Sequence, residues 1–319
     1  MGISELTDLI HNNTDKLTSI DGYKAILNRG NNLIRFDVLN RILIYLQLEN
    51  AFDLKTVEEW GILGRKIRSN QKPIFIAIPK YKTTYIETDT GNSIDTSDLT
   101  PDELLKALEY KIIHREDNID TVCTLPLYDI RQTVSANNIE YNINKPILNA
   151  SSILQLLSDI TGATIEVCDE DYYSVSSNSI FICKKPYKDL ATTVSKFLVK
   201  YIMNYKIDNI LMNTLGIQKN DFSKYEITLL ENSIYYAICT LLAAESDVDL
   251  SYLQHISYAD MVNILNAVDT AILDIIRYMT FTDNNSDLDA IDNITKLHRA
   301  EVILDIMEAN SINKVMKGN

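Results

Sequence analysis

Trp60-Gly-Ile-Leu-Gly-Arg-Lys-Ile-Arg-Ser-Asn-Gln-Lys-Pro-Ile-Phe-Ile-Ala-Ile-Pro-Lys-Tyr-Lys82 is the stretch whose reading decides the fold. Its second half, Ile74–Pro79, is rich in β-branched and aromatic residues and reads as a strand. Thr83–Thr88 reads as a second strand, and the whole segment is expected to be a basic hairpin. Arg65, Lys66, Arg68, Lys72, Lys80 and Lys82 lie in it without one acidic residue. Cations interleaved with Trp60, Phe75 and Tyr81 suit a single-stranded nucleic acid. The cations follow phosphates, and aromatic faces stack on unpaired bases at about 1–3 kcal/mol each. The same composition also describes a solvated edge hairpin whose lysines block edge-to-edge pairing, with Trp60 in the core.

Outward from this segment, apolar spacing predicts helices over 4–27, 37–48 and, more briefly, 54–60. Gly30 and the Asn pair after it should stop the first. Thr100-Pro-Asp-Glu103 opens a capped helix running to about Ile113, and Thr121–Thr133 returns to strand. The polar, Asn-rich stretch 136–148 reads as a linker between domains at 1–135 and 149–319. Beyond it come a helix over 151–160 and a hairpin of Thr164–Val167 with Ser179–Ile182. Helices are then expected over 187–206, 223–245, 258–278 and 294–315. The expected class is α+β: N-terminal helices with a small sheet, then a mostly helical domain carrying one hairpin.

The 319 residues carry 30 Lys+Arg against 44 Asp+Glu, a formal charge of −14. With 46% hydrophobic residues the chain can bury cores, so it is not a disordered acidic tail. A bulk negative charge argues against a general nucleic-acid coat or an anionic-membrane binder. The charge is uneven, however: residues 1–90 sum to +1 and residues 91–319 to −15. MGISELTDLI lacks the basic start and apolar run of a secretory signal, and no apolar stretch is long enough to span a bilayer. A cytoplasmic protein with no membrane contact is expected. Cys123, Cys168, Cys183 and Cys239 form no C-x-x-C pair, and His11, His114, His255 and His298 lie far apart. No glycine-rich phosphate cradle is present. No cofactor is expected. The acidic run Asp283–Asp292 lacks the glycine and terminal Glu of a calcium loop and reads as a linker.

The run Asn32-Leu-Ile-Arg-Phe-Asp-Val-Leu-Asn-Arg-Ile-Leu-Ile-Tyr-Leu-Gln47 resembles the opening of the ArdC-like antirestriction family. Asn50-Ala51, Trp60, Gly64-Arg65, Lys72 and Ile76–Pro79 follow in that family's order, and Tyr128-Asp-Ile-Arg-Gln-Thr133 is similar to the strand closing its N-terminal domain. The resemblance implies a single-stranded-DNA-binding module of plasmids, conjugative elements and phages. One departure is Asn70 in place of the family's turn glycine, and Asn tolerates positive φ better than other side chains.

Past the linker, Tyr172-Tyr-Ser-Val-Ser-Ser-Asn-Ser-Ile-Phe-Ile182 resembles the hairpin preceding the family's zincin metallopeptidase helix. That helix should carry H-E-x-x-H, two zinc-binding imidazoles and a general base. Here Lys196 and Lys200 stand in the histidine places and Phe197 in that of the base, while Glu231 matches a third ligand. Protonated amines repel a dication, and a phenyl ring transfers no proton. The resemblance therefore implies a pseudo-metallopeptidase without metal or catalysis. The expected function is anti-defence: a mobile-element protein that binds single strands through the basic hairpin and meets protein, such as a host nuclease, through its acidic part. The alternative is an acidic DNA mimic that inhibits such a nuclease or a restriction or CRISPR effector.

Overall fold

The computed structural model describes residues 1–28, 33, 35–94, 99–135, 148–174 and 176–281. The expected stop at Gly30, most of the linker 136–148, the run Asp283–Asp292 and the helix 294–315 lie outside these residues.

The first helical stretch is three helices, not one: α1 (Ile3–His11), α2 (Thr14–Leu17) and α3 (Ile20–Leu27). Asn12-Asn13 and Thr18-Ser19 interrupt the apolar period, and Ser19 caps α3 by accepting the Gly22 N–H at 3.1 Å. The next helix, α4 (Val38–Gln47), starts where Asp37 accepts the Asn40 N–H at 2.8 Å. Every residue from Val38 to Ile44 is buried, so α4 is enclosed on all sides. Leu39, Ile42 and Leu43 join the large helical core, while Ile44 packs with Leu54, Ile74, Ile76 and Leu127 beneath the sheet.

The sheet region runs β1 (Leu54–Lys55), α5 (Val57–Ile62), β2 (Arg65–Ile67), β3 (Ile74–Glu87), β4 (Ser93–Ile94), α6 (Pro101–Glu109), β5 (Ile113–Asp129) and β6 (Thr133–Ser135). The two strands expected over 74–88 are one long strand, β3, bulged between Lys80 and Tyr81. It pairs antiparallel with β5, from Ile74 opposite Leu127 to Glu87 opposite Ile113. The basic segment is not a hairpin. β2 pairs with β6 (Arg65 opposite Ser135), and β3 belongs to a separate sheet ordered β1-β5-β3-β4. The capping box at α6 forms as its sequence requires: the Thr100 N–H donates to Glu103 at 2.9 Å, and the Glu103 N–H returns to Thr100 Oγ1 at 3.4 Å.

Among the described residues β3 has no strand against its outer edge at Phe75–Ala77. Side-chain amides of α4 take that place. Asn40 donates to the Ala77 carbonyl at 3.0 Å and accepts the Ala77 N–H at 2.8 Å. Gln47 does the same to Phe75, at 2.7 and 2.9 Å. Residues seven apart share a helical face, and residues two apart share a strand edge, so one helix satisfies four backbone groups. The Asn and Gln of the quoted run 32–47 are thus a structural clamp.

The second half contains α7 (Ala150–Thr161), β7 (Thr164–Cys168), β8 (Tyr172–Ser174), β9 (Ser179–Cys183), α8 (Tyr187–Tyr201), a π-helical turn Ile202–Lys206, α9 (Ile207–Leu215), α10 (Lys224–Leu241), α11 (Tyr258–Ala271) and α12 (Leu273–Phe281). The expected hairpin of 164–167 with 179–182 is corrected. β7 and β9 run parallel, and the hairpin partner of β9 is β8. Alternation sets which face a strand buries but not its direction, which is why the sequence reading missed this. Cys168 and Cys183, both free thiols, are opposite one another in the parallel register.

The helices of both halves share one buried cluster that includes Leu6, Tyr23, Leu39, Leu198, Leu230 and Leu265. Each such side chain contributes roughly 1.5–3 kcal/mol on leaving water. Two buried polar pairs cross between the halves: Tyr23 Oη with Ser233 Oγ at 2.8 Å, and Arg41 with Asp269 at 2.9 Å. The fold is α+β, with the sheets set against a helical body. Among the described residues no helix is long and apolar enough to cross a membrane.

Candidate nucleic-acid interface

The six cations fall into two groups. Arg65, Lys66, Arg68 and Lys72 lie on β2 and the loop after it. Lys80 and Lys82, with Tyr81, lie on β3 past its bulge. At about 3.3 Å per residue, the six steps from Ile74 to Lys80 separate the groups by roughly 20 Å along the strand.

The first group is organised by a single turn, Tyr128–Thr133. The buried Asp129 carboxylate accepts the Arg131 N–H at 3.0 Å and the Phe52 N–H at 2.6 Å. The Tyr128 carbonyl accepts Trp60 Nε1 at 2.8 Å. Thr133 Oγ1 accepts Arg65 Nε at 2.7 Å, and the Thr133 carbonyl accepts Arg68 Nε at 3.1 Å. Gln132 donates to the Lys72 carbonyl at 2.7 Å. The sequence motif 128–133 is therefore the mount on which the basic segment is held, a role no local pattern in 60–82 discloses.

Within that mount the side chains divide by face. Arg65 and Ile67 turn inward and are half-buried, with the Arg65 guanidinium 6.0 Å from the Trp60 ring centre. Lys66 points the other way and is exposed, opposite Val134. Arg68 and Lys72 are exposed, and so are Ile62, Leu63 and Val134 beside them. Asn70 turns the loop at φ 62°, a left-handed conformation that Asn tolerates better than most side chains. Arg131, half-exposed and bonded to Asp129 at 2.6 Å, adds a cation that the sequence reading did not name. Glu58 and Glu59 in the first turn of α5 are the nearby acids in the chain, and Glu59 is engaged by Thr56 and Arg35.

Of the aromatic candidates, Trp60 is corrected. Its ring is fully buried beneath Lys55 and Arg65, so it offers no face to a base. Phe75 is half-buried against the core. Tyr81 is 38% exposed.

The positions matched to a zinc site do not form one. Lys196 and Lys200 lie exposed on α8, Phe197 is half-buried against the helical core, and Glu231 is exposed on α10. Among the described residues no group of three or more His, Cys, Asp or Glu is placed to hold a metal. Amines and a phenyl ring are the wrong donors for zinc.

Fold and site together define an α+β protein with a basic two-segment surface on an otherwise acidic chain. No protein-family model and no curated protein matches it. Two solved structures of the antirestriction ArdC protein from plasmid R388 are similar to it. The metal-free form has 13% identity and a TM-score of 0.39, over 82% of this chain and 84% of that one. The Mn(II)-bound form has 14% identity and a TM-score of 0.35, over 82% and 88%. Overlap at this level does not define a common fold.

Proposed function

We propose that this chain is an anti-defence protein of a mobile element, acting in the cytoplasm by binding single-stranded DNA and occluding it from nucleases. The observation that carries the reading is the exposed trio Lys66, Arg68 and Lys72, held on one mount in a segment without acids. Lys80, Tyr81 and Lys82 extend the track along β3. Antirestriction is taken from the residue resemblance over 30–134. Occlusion needs no catalysis, which agrees with a peptidase-like second half whose site positions hold Lys196, Phe197 and Lys200.

The test is anisotropy titration of a fluorescent single strand at low salt. Binding should weaken with a salt slope of about 0.7 per phosphate contacted, and K66A/R68A/K72A should lower that slope by about 2. Absence of binding by the folded wild type at low salt would sink the reading.

The net −15 of residues 91–319 favours a second reading, inhibition of a DNA-cutting enzyme by charge mimicry. There the chain would bind a nuclease in competition with duplex DNA, and salt would weaken that binding.

A further inference from the structure

Within the acidic half of the chain one described stretch is basic. Residues 184–206 contain Lys184, Lys185, Lys188, Lys196, Lys200 and Lys206 against a single acid, Asp189, and no acid occurs from 190 to 207. Three of these lysines are engaged: Lys185 with Asp171, Lys188 with Glu245 and Lys206 with Asp274. Lys196 and Lys200 are exposed and make no ion pair among the described residues. They are four apart, so they stand in one row along α8, about 6 Å apart in rise. The neighbouring row is aromatic: Phe197, Tyr201 and Tyr205. Tyr201 and Tyr205 are in contact, with ring centres 5.4 Å apart and planes tilted by 42°. Tyr205 is 57% exposed. Tyr205 lies in the π-helical turn Ile202–Lys206, and Lys206 of that turn stands 5.6 Å from the centre of the Tyr201 ring.

We propose that this face of α8 is a second contact surface for single-stranded nucleic acid, with Lys196 and Lys200 on phosphates and Tyr201 and Tyr205 beneath bases. A cation row beside an aromatic row is the arrangement that holds a strand without reading its sequence. An acidic peptide would engage the lysines but would leave the solvent-facing Tyr205, packed on the half-buried Tyr201, without a role. The core accounts for Phe197, since that ring packs inward, but not for Tyr205. The lysines at the former histidine places thus acquire a function of their own. The surface rests on the reading of the chain as a single-strand binder and lengthens the strand it covers.

The experiment uses the full chain and a long fluorescent oligothymidylate, with K196A/K200A and Y205A compared with wild type and with K66A/R68A/K72A. Thermal melts confirm folding; both new substitutions are of exposed side chains. Y205A is expected to weaken binding about tenfold, the loss of one stacked base. K196A/K200A should lower the salt slope by about 1.4. An iodouridine-substituted strand should photocrosslink to Tyr201 or Tyr205. Wild-type binding that is lost in K66A/R68A/K72A but unchanged in affinity, slope and crosslink by the α8 variants overturns this surface and leaves the first intact. No wild-type binding at all removes both. Binding of polyglutamate, lost in K196A/K200A while oligothymidylate binding is unaffected, reassigns the face to an acidic peptide and overturns the proposal.

Discussion

Arg41 and Asp269, 228 residues apart, meet as an ion pair with both side chains only 3% exposed. The guanidinium is otherwise spent on backbone: Nε donates to the Ile26 carbonyl at 3.1 Å and Nη1 to the Phe36 carbonyl at 2.6 Å. Burial pushes Arg41 down to about 9, and the Asp37 charge offsets only part of that. Removing one partner strands a charge, which generally costs about 3–5 kcal/mol, whereas replacing both with apolar groups is often near neutral. D269A is therefore expected to lower the urea midpoint sharply, and R41M/D269L to recover part of the loss. Equal loss in both would show that leaving the Ile26 and Phe36 carbonyls without Arg41 costs as much as stranding its charge.

The clamp of α4 on β3 gives a second prediction. N40A leaves the N–H and carbonyl of the fully buried Ala77 unpaired, at about 1–3 kcal/mol for each group. Q47A does the same at Phe75, which is half-buried, so water substitutes in part and the loss should be nearer 1 kcal/mol. Urea unfolding should rank the variants in that order. N40D should be no better than N40A, because a carboxylate cannot donate to the Ala77 carbonyl.

How far these features were legible varies with their range. The capped start at Thr100 and the helices α4 and α10 follow from local spacing, although α4 buries every side from Val38 to Ile44 and not one apolar face. The pairing of β2 with β6 joins Ile67 to Thr133 across the whole of β3 and β5, and no local pattern encodes it. The basic residues were legible as a set but not as two groups, because that division depends on β2 leaving the sheet. Trp60 was ambiguous for a simple reason: a tryptophan among cations looks alike whether it is stacked on a base or capped by Lys55 and Arg65. α9 was missed because the π-helical turn shifts the apolar period at 202–206.

Gly22 predicts a loss where helix propensity predicts a gain. Alanine is favoured over glycine within a helix by about 1 kcal/mol. A Cβ at position 22, however, would stand 2.2 Å from the Lys16 carbonyl oxygen and 3.1 Å from Ser19 Oγ, the α3 cap. Backbone cannot give way as a flexible side chain would, and overpacking costs roughly 1–3 kcal/mol. G22A should therefore melt below wild type; a rise in Tm would mean that α2 and α3 separate readily.

The only tryptophan provides a probe of the interface itself. Trp60 is fully buried and bonded to the Tyr128 carbonyl, so its emission should be blue-shifted and resist acrylamide. Saturating single-stranded DNA should change it little, while Y81A weakens binding by about tenfold if Tyr81 stacks. Strong quenching of Trp60 by DNA would require the ring to leave its pocket beneath Arg65.

Asp171 supplies a pH-dependent contribution whose sign follows from its partners. Burial pushes its carboxyl up, but the bond to Lys185 and the Cys183 N–H at 2.7 Å outweigh it, and the net shift is downward. A carboxylate depressed in the folded state binds fewer protons there than in the unfolded chain. Its stabilisation is therefore present above the ordinary Asp range near 4 and is lost as pH falls through the folded value. With the carboxylate 31% exposed, the effect should stay below about 1 kcal/mol. D171N should melt lower than wild type at pH 7, and the difference should close as the pH falls through the folded value. A difference that persists in acid would show that the charge shared with Lys185 is not what D171N removes.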